Sequence, residues 1–235
     1  DHCAVAQASG RAGTTMKSPD LVMLDRSRAA YIAVEVEGTV GRPLRAYREK
    51  MTAYQRNPAV LAVWYACTTQ SVARRVARAA TGRDVVCKIE GSYHGHHDAV
   101  MFSVIPNADV MGGRERPAKA PVSKGLVKDA SKYIEVVPFN DAEQLERLFD
   151  EKGKEIACLV MEPAMMNIGI VVPDVAYLKR ARELCTKHGV VFIYDEIKTG
   201  FTIAPGGATE RFGVQPDLVC LAKAISGGLP AAAFG

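Results

Sequence analysis

From residue 84 onward the apolar positions switch repeatedly between two spacings. Residues 85–89, Val-Val-Cys-Lys-Ile, predict a short strand, and the polar turn 91–95 follows it. Residues 103–135 are rich in Pro, Gly and Lys without firm periodicity and predict a long surface excursion. Asn140 is then expected to cap a helix, with Glu143 as its capping-box partner. The helix carries Leu145, Leu148 and Phe149 on one face and stops near Gly153. Residues 156–161 form an unbroken apolar run, the pattern of a strand buried on both faces. Asp174 opens a second helix with Tyr177, Leu178, Ala181 and Leu184 inward, and His188-Gly189 closes it. Residues 190–194 and 217–221 predict two further buried strands, the second ending close to Lys223. This rhythm predicts an α/β fold, a mainly parallel sheet flanked by helices.

The residues ahead of this block follow a different plan. Residues 21–24 and 31–37 predict a hairpin, Leu44, Tyr47, Met51 and Tyr54 mark a helix, and residues 60–66 predict a strand. Charge divides at about the same place. Residues 1–78 hold twelve Lys/Arg against six Asp/Glu, whereas residues 79–235 hold eighteen against twenty. The expected organisation is therefore a small basic α/β segment over 1–78, followed by a larger domain over 79–235.

Composition narrows the class. The chain has 235 residues, 48% hydrophobic and 24% charged, which excludes a collagen-like rod, a coiled coil and a disordered chain. No run of 18 apolar residues is present, so no membrane-spanning helix and no membrane partner is expected. The first residues lack a basic region and a long apolar stretch, so no signal peptide is expected either. Six cysteines are scattered without a C-x-x-C pair, which predicts buried thiols in a reducing, cytoplasmic setting. His94, His96 and His97 have no cysteine at ligand spacing, so no metal site is predicted.

Candidate chemistry begins at two strand ends. Asp195 and Lys223 both fall at the carboxyl ends of predicted strands, the edge at which open α/β sheets bind ligands. Two solvated charges at strand ends would give the same pattern. More specific are several short segments in a fixed order: residues 78–83 (RAATGR), 93–98 (YHGHHD), 162–167 (EPAMMN), 195–201 (DEIKTGF), and 216–218 with 222–230 (PDL and AKAISGGLP). Over residues 79–235 the chain resembles the class III, fold-type I, pyridoxal-phosphate-dependent aminotransferases, and within them the glutamate-1-semialdehyde aminomutase branch.

That resemblance implies an enzyme for amino-group transfer, or a 1,2-amino shift, on an amino acid or semialdehyde. Pyridoxal 5'-phosphate is the implied cofactor. Lys223 matches the lysine that holds the cofactor covalently and moves protons. Asp195 matches the carboxylate that pairs with the pyridine nitrogen. Ile197 and Tyr93 would lie against the two faces of the ring, with His94 nearby. Asn167 matches the residue that hydrogen-bonds the phenolic oxygen, and Glu162 belongs to the same network. Small-molecule amino donors and acceptors and a homodimer are implied as partners.

The pattern also breaks. Where the family carries a Ser-Gly-Thr-Glu-Ala turn to cradle phosphate, this chain reads Tyr65-Ala66-Cys67-Thr68-Thr69. It stops twelve residues past Lys223, so impaired activity is expected. Residues 18–69 weakly resemble a PD-(D/E)XK nuclease-like replication-relaxation domain, through Pro19-Asp20 and Glu35-Val36-Glu37. Two alternatives therefore stand beside the aminotransferase: a nucleic-acid-associated protein acting through its basic first 78 residues, and a non-catalytic fragment.

Overall fold

The computed structural model describes residues 71–228 and 232–235, the side chains of Ser71, Val72 and Ser226 aside, and the backbone of four strands ahead of them. Those four are β1 (Cys3–Ala6), β2 (Leu21–Asp25), β3 (Ala30–Glu37) and β4 (Val60–Cys67). The helix α1 (Ser71–Thr81) and β5 (Val85–Ile89) follow. A two-rung hairpin, β6 (Gly112–Gly113) with β7 (Arg116–Pro117), precedes β8 (Ile134–Val137). Then come α2 (Ala142–Lys152), β9 (Ile156–Met161), α3 (Val175–His188), β10 (Val191–Asp195), the short α4 (Gly207–Phe212), β11 (Leu218–Leu221) and β12 (Ala232–Phe234).

Ten strands form one sheet in the order β1-β2-β3-β4-β12-β11-β10-β9-β5-β8. From β11 to β8 every neighbour is parallel. β12 runs antiparallel to both β11 and β4, so β4 points the same way as the parallel block. The predicted α/β class, a mainly parallel sheet flanked by helices, is the one observed.

Two cores explain why the pattern works. On one face α2 and α3 bring Leu145, Phe149, Tyr177, Leu178 and Leu184 against Ile89, Leu159, Phe192 and Tyr194 of the strands. On the other, α1 lays Ala73, Val76 and Ala77 over Val86, Cys158, Ile193 and Cys220. Each large apolar side chain so buried contributes about 1.5–3 kcal/mol. All six residues of β9 are buried, as a strand covered on both faces requires. Strand alternation places Phe192 and Tyr194 under α3 and Ile193 under α1, and Asp195 continues in step with Ile193.

Two details correct the sequence reading. The cap of α2 is Asp141, not Asn140: its Oδ1 accepts from the Gln144 N–H at 3.1 Å. Asn140 adopts φ 56°, a left-handed conformation that asparagine tolerates, and bonds instead to Val172 O and the Asp174 N–H. Glu143 therefore has no capping-box role and pairs with Arg147 at 3.6 Å. The excursion expected through residue 135 ends earlier, because Ile134–Val137 is a fully buried strand. Glu135 can lie within it because Lys119 Nζ and Lys152 Nζ meet its carboxylate at 2.9 and 2.6 Å. The helix expected around residues 44–54 lies outside the described residues.

Candidate active site

Strands β11, β10, β9 and β5 are consecutive parallel neighbours, so the segments leaving their carboxyl ends lie side by side. The segment after β5 is anchored from within the sheet. Lys88, fully buried, donates from Nζ to Ser92 O at 2.9 Å and Phe102 O at 2.7 Å, and reaches Ser103 O at 3.5 Å. Burial pulls its ammonium down to about 7, while Glu162 and Glu90 pull it back up. Gly91 follows at φ 82°, and a Cβ there would come within 3.1 Å of Ile168 Cδ1. This close approach seats the β5 loop on the β9 loop.

Glu162, the first residue past β9 and 4% exposed, joins the same two loops. Its Oε1 accepts from the Tyr93 N–H and its Oε2 from the Met166 N–H, both at 2.9 Å. Two charge-assisted bonds to backbone fix both segments to one carboxylate. Met165 and Val171 exchange backbone hydrogen bonds at 3.0 Å and close the base of the loop that carries Asn167, which is half-buried.

Asp195 ends β10 and is buried at 5% exposure. Its Oδ2 lies 2.6 Å from His94 Nδ1, and its Oδ1 accepts from the Ile197 N–H at 3.2 Å. A bond to a carboxylate places the imidazole proton on Nδ1. The opposite nitrogen, Nε2, is buried without a hydrogen-bond partner among the described residues. Glu196, one residue on, faces the other way. It accepts from the Ala208 N–H at 2.7 Å and the Thr199 hydroxyl at 3.1 Å, and burial raises its pKa.

Lys223 lies two residues past β11 and opens a short 3-10 turn, Lys223–Ser226. It is exposed, with φ 47°, a left-handed conformation that costs a non-glycine residue on the order of 1–3 kcal/mol and concentrates at functional sites. Asp195 pairs in register with Cys220, three residues before Lys223.

The structure thus gathers Tyr93, His94, Glu162 and Asp195 through direct hydrogen bonds. It sets Ile197 beside Asp195, Asn167 on the adjoining loop, and Lys223 at the end of the neighbouring strand. A cleft of about 650 Å³ lined by Lys119, Glu135 and Lys152 lies elsewhere, next to β8 and α2.

A family model for class III aminotransferases matches residues 16–235. The chain belongs to that family. Among aminotransferase relatives, the glutamate-1-semialdehyde 2,1-aminomutase of Caldivirga maquilingensis is 44% identical over 161 residues, covering 68% of this chain and 36% of that protein. An omega-transaminase from Sphaerobacter thermophilus superposes with a TM-score of 0.67 at 28% identity, covering 84% of this chain and 45% of that one. A glutamate-1-semialdehyde aminomutase from Pseudomonas aeruginosa PAO1, in complex with PMP, gives 0.63 at 28% identity, over 73% of this chain and 37% of the other. The chain spans little more than a third of the curated relative's length.

The aminotransferase match begins at residue 16, so it runs through the stretch 18–69 that weakly resembled a nuclease-like domain, and that resemblance finds no support. Among the described residues no three His, Cys, Asp or Glu are grouped to hold a metal, and no helix is long and apolar enough to cross a membrane. At the place of the family's phosphate turn, Tyr65, Ala66 and Cys67 are paired as strand against β12, and Thr68 and Thr69 lie outside the described residues.

Sequence reasoning missed two buried cations, Lys88 and Arg74. For Lys88 the signal was available: a lysine inside an otherwise apolar strand must bring its charge to buried acceptors. For Arg74 the signal was its place between Ala73 and Ala77 on the inward face of α1.

Proposed function

We propose that this chain forms the cofactor-binding part of a pyridoxal-phosphate-dependent enzyme that transfers an amino group, or shifts it between adjacent carbons, on an amino acid or its semialdehyde. The observation that carries the proposal is the buried carboxylate of Asp195, held at 2.6 Å by His94 at the carboxyl edge of a parallel sheet, with Lys223 at the end of the adjoining strand. The relative from Pseudomonas aeruginosa carries PMP, the amino form of the same cofactor.

The residues fit such a group. A pyridine nitrogen needs a buried acid beside it to stay protonated, and Asp195 is a buried acid already oriented by His94 Nδ1 and the Ile197 N–H. When bound, the cofactor supplies an electron sink for charge developing at the substrate carbon. The chain supplies the rest. Lys223 would hold the cofactor covalently through Nζ and, once displaced by the incoming amine, take and return a proton at that atom. His94 Nδ1 keeps the Asp195 carboxylate in one orientation. Tyr93 and Ile197 would border the ring, Asn167 would bond its phenolic oxygen, and Glu162 would hold the Tyr93 and Asn167 loops at a fixed separation.

Amino donors and acceptors, a second copy of the chain and a cytoplasmic location belong to the same reading. The buried free thiols of Cys87, Cys158, Cys185 and Cys220 agree with a reducing compartment.

The test is covalent trapping. The protein is incubated with pyridoxal phosphate, reduced with borohydride and mapped by peptide mass. The expected result is a single pyridoxyl adduct on Lys223, absent in Lys223→Ala. Labelling spread over surface lysines, unchanged in the variant, would refute the assignment.

A further inference from the structure

Arg74 is the fourth residue of α1 and faces inward. It is 4% exposed, within electrostatic reach of Cys158 and Cys220, and its Nε has no hydrogen-bond partner among the described residues. The Cys158 thiol beside it does not neutralise it, because burial pushes that thiol up to about 12. Among the described residues, the one carboxylate whose charge reaches it is Asp195, and that carboxylate is engaged by His94 and the Ile197 N–H. A buried guanidinium whose Nε has no partner among the described residues costs free energy, which an anion received there would offset.

Topology says where that anion would enter. β4 points the same way as β11, and α1 begins four residues after β4 ends. The N-terminus of α1 therefore opens at the carboxyl edge that also holds Asp195 and Lys223. A helical side chain leans toward the N-terminus of its own helix, so Arg74 reaches from the first turn toward that opening. There the unpaired backbone N–H groups and the helix dipole also favour negative charge.

We infer that Arg74 is an anion anchor, taking the phosphate monoester of the cofactor together with the N-terminal turn of α1. It would thereby replace the Ser-Gly-Thr-Glu-Ala turn that this chain lacks. The identity of the anion rests on the cofactor reading above; the presence of an anion seat does not.

The experiment compares the 235-residue chain with Arg74→Leu and, as a control on the same helix, Arg75→Leu. Three probes are used: pyridoxal phosphate, pyridoxal without the phosphate, and inorganic phosphate. Affinity is read by absorbance titration, the position of attachment by borohydride trapping, and anion binding by the shift in melting temperature. In the parent, pyridoxal phosphate should bind at Lys223 more tightly than pyridoxal, and inorganic phosphate should raise the melting temperature. Arg74→Leu should lower the pyridoxal phosphate affinity on the order of tenfold or more, leave pyridoxal within about twofold, and abolish the response to inorganic phosphate. Its melting temperature without anion should be no lower than the parent's, because a buried cation whose Nε has no partner among the described residues has been removed. Arg75→Leu should match the parent throughout. If Lys223 is not labelled in the parent, the cofactor reading fails, and the inorganic phosphate arm alone decides the role of Arg74. The inference is overturned if Arg74→Leu keeps the phosphate response, or if Arg75→Leu loses it equally. Should Arg74→Leu not fold, Arg74→Gln carries the same comparison.

Discussion

Lys88→Met replaces the buried ammonium under the β5 loop while keeping a stem of similar length. In the parent the lysine's pKa is near 7 in the fold, against an ordinary value of 10.5. Its folded pKa is depressed, so between pH 7 and about 10 the unfolded chain binds one more proton than the folded one. Stability must therefore rise with pH across that window, at up to about 1.4 kcal/mol per pH unit. From pH 7.5 to 9.5 the parent should gain about 2–3 kcal/mol relative to Lys88→Met, whose difference from it cancels every other titrating group. The variant also leaves Ser92 O and Phe102 O without their buried donor, at about 1–3 kcal/mol each. Urea unfolding of both proteins at pH 7.5, 8.5 and 9.5 measures the difference. A parallel pair of pH profiles would refute the reasoning. It would mean that the three carbonyls solvate the ammonium well enough to keep it protonated in the fold.

Two further outcomes test how the site is held. Glu162→Gln should destabilise the protein by about 2–3 kcal/mol, because one of two carboxylate acceptors becomes a donor facing a backbone N–H. Hydrogen exchange at the Tyr93 and Met166 amides should accelerate, and unchanged exchange would show that Glu162 does not join the loops. Gly207→Ala should cost roughly 2–4 kcal/mol in urea unfolding, since φ is 64° and the added methyl collides with the Glu196 carboxylate. Gly213→Ala, also at positive φ but with nothing within 4 Å, should cost only about 1 kcal/mol, so equal losses would contradict the clash.

Much of the parallel block was legible because both faces are covered. An unbroken apolar run such as residues 156–161 has few other homes, and Asp174 and Gly189 bracket α3 by short-range chemistry. The strand end at Asp195, and that of β11 two residues before Lys223, were readable for the same reason. The Asp195–His94 bond was not, since it joins residues 101 positions apart that follow β5 and end β10, two strands separated by β9, an order that no local pattern encodes. β8 escaped notice because four residues are too few for a period and Glu135 breaks its apolar character. Its compensation comes from Lys119 and Lys152, sixteen and seventeen residues away on either side. The cap at Asp141 failed for a subtler reason: Asn140 and Asp141 both suit a cap, and the left-handed turn at Asn140 decides between them.

The three residues of β12 have a consequence for the order in which the molecule can assemble. They are the seam between two blocks of strands, and Cys67 finds Ala232 across 165 positions of chain. Every pairing from β11 to β8 spans far less. Loop-closure entropy and contact order put such a distant pairing late. The parallel block can form its two cores while β4 still waits for a neighbour, and until β12 arrives the edges of β4 and β11 stand open. An open edge is a template for another chain. The interval before residues 232–234 take their place is thus the period in which this protein is most exposed to pairing with a second copy of itself, and chaperone demand should concentrate there.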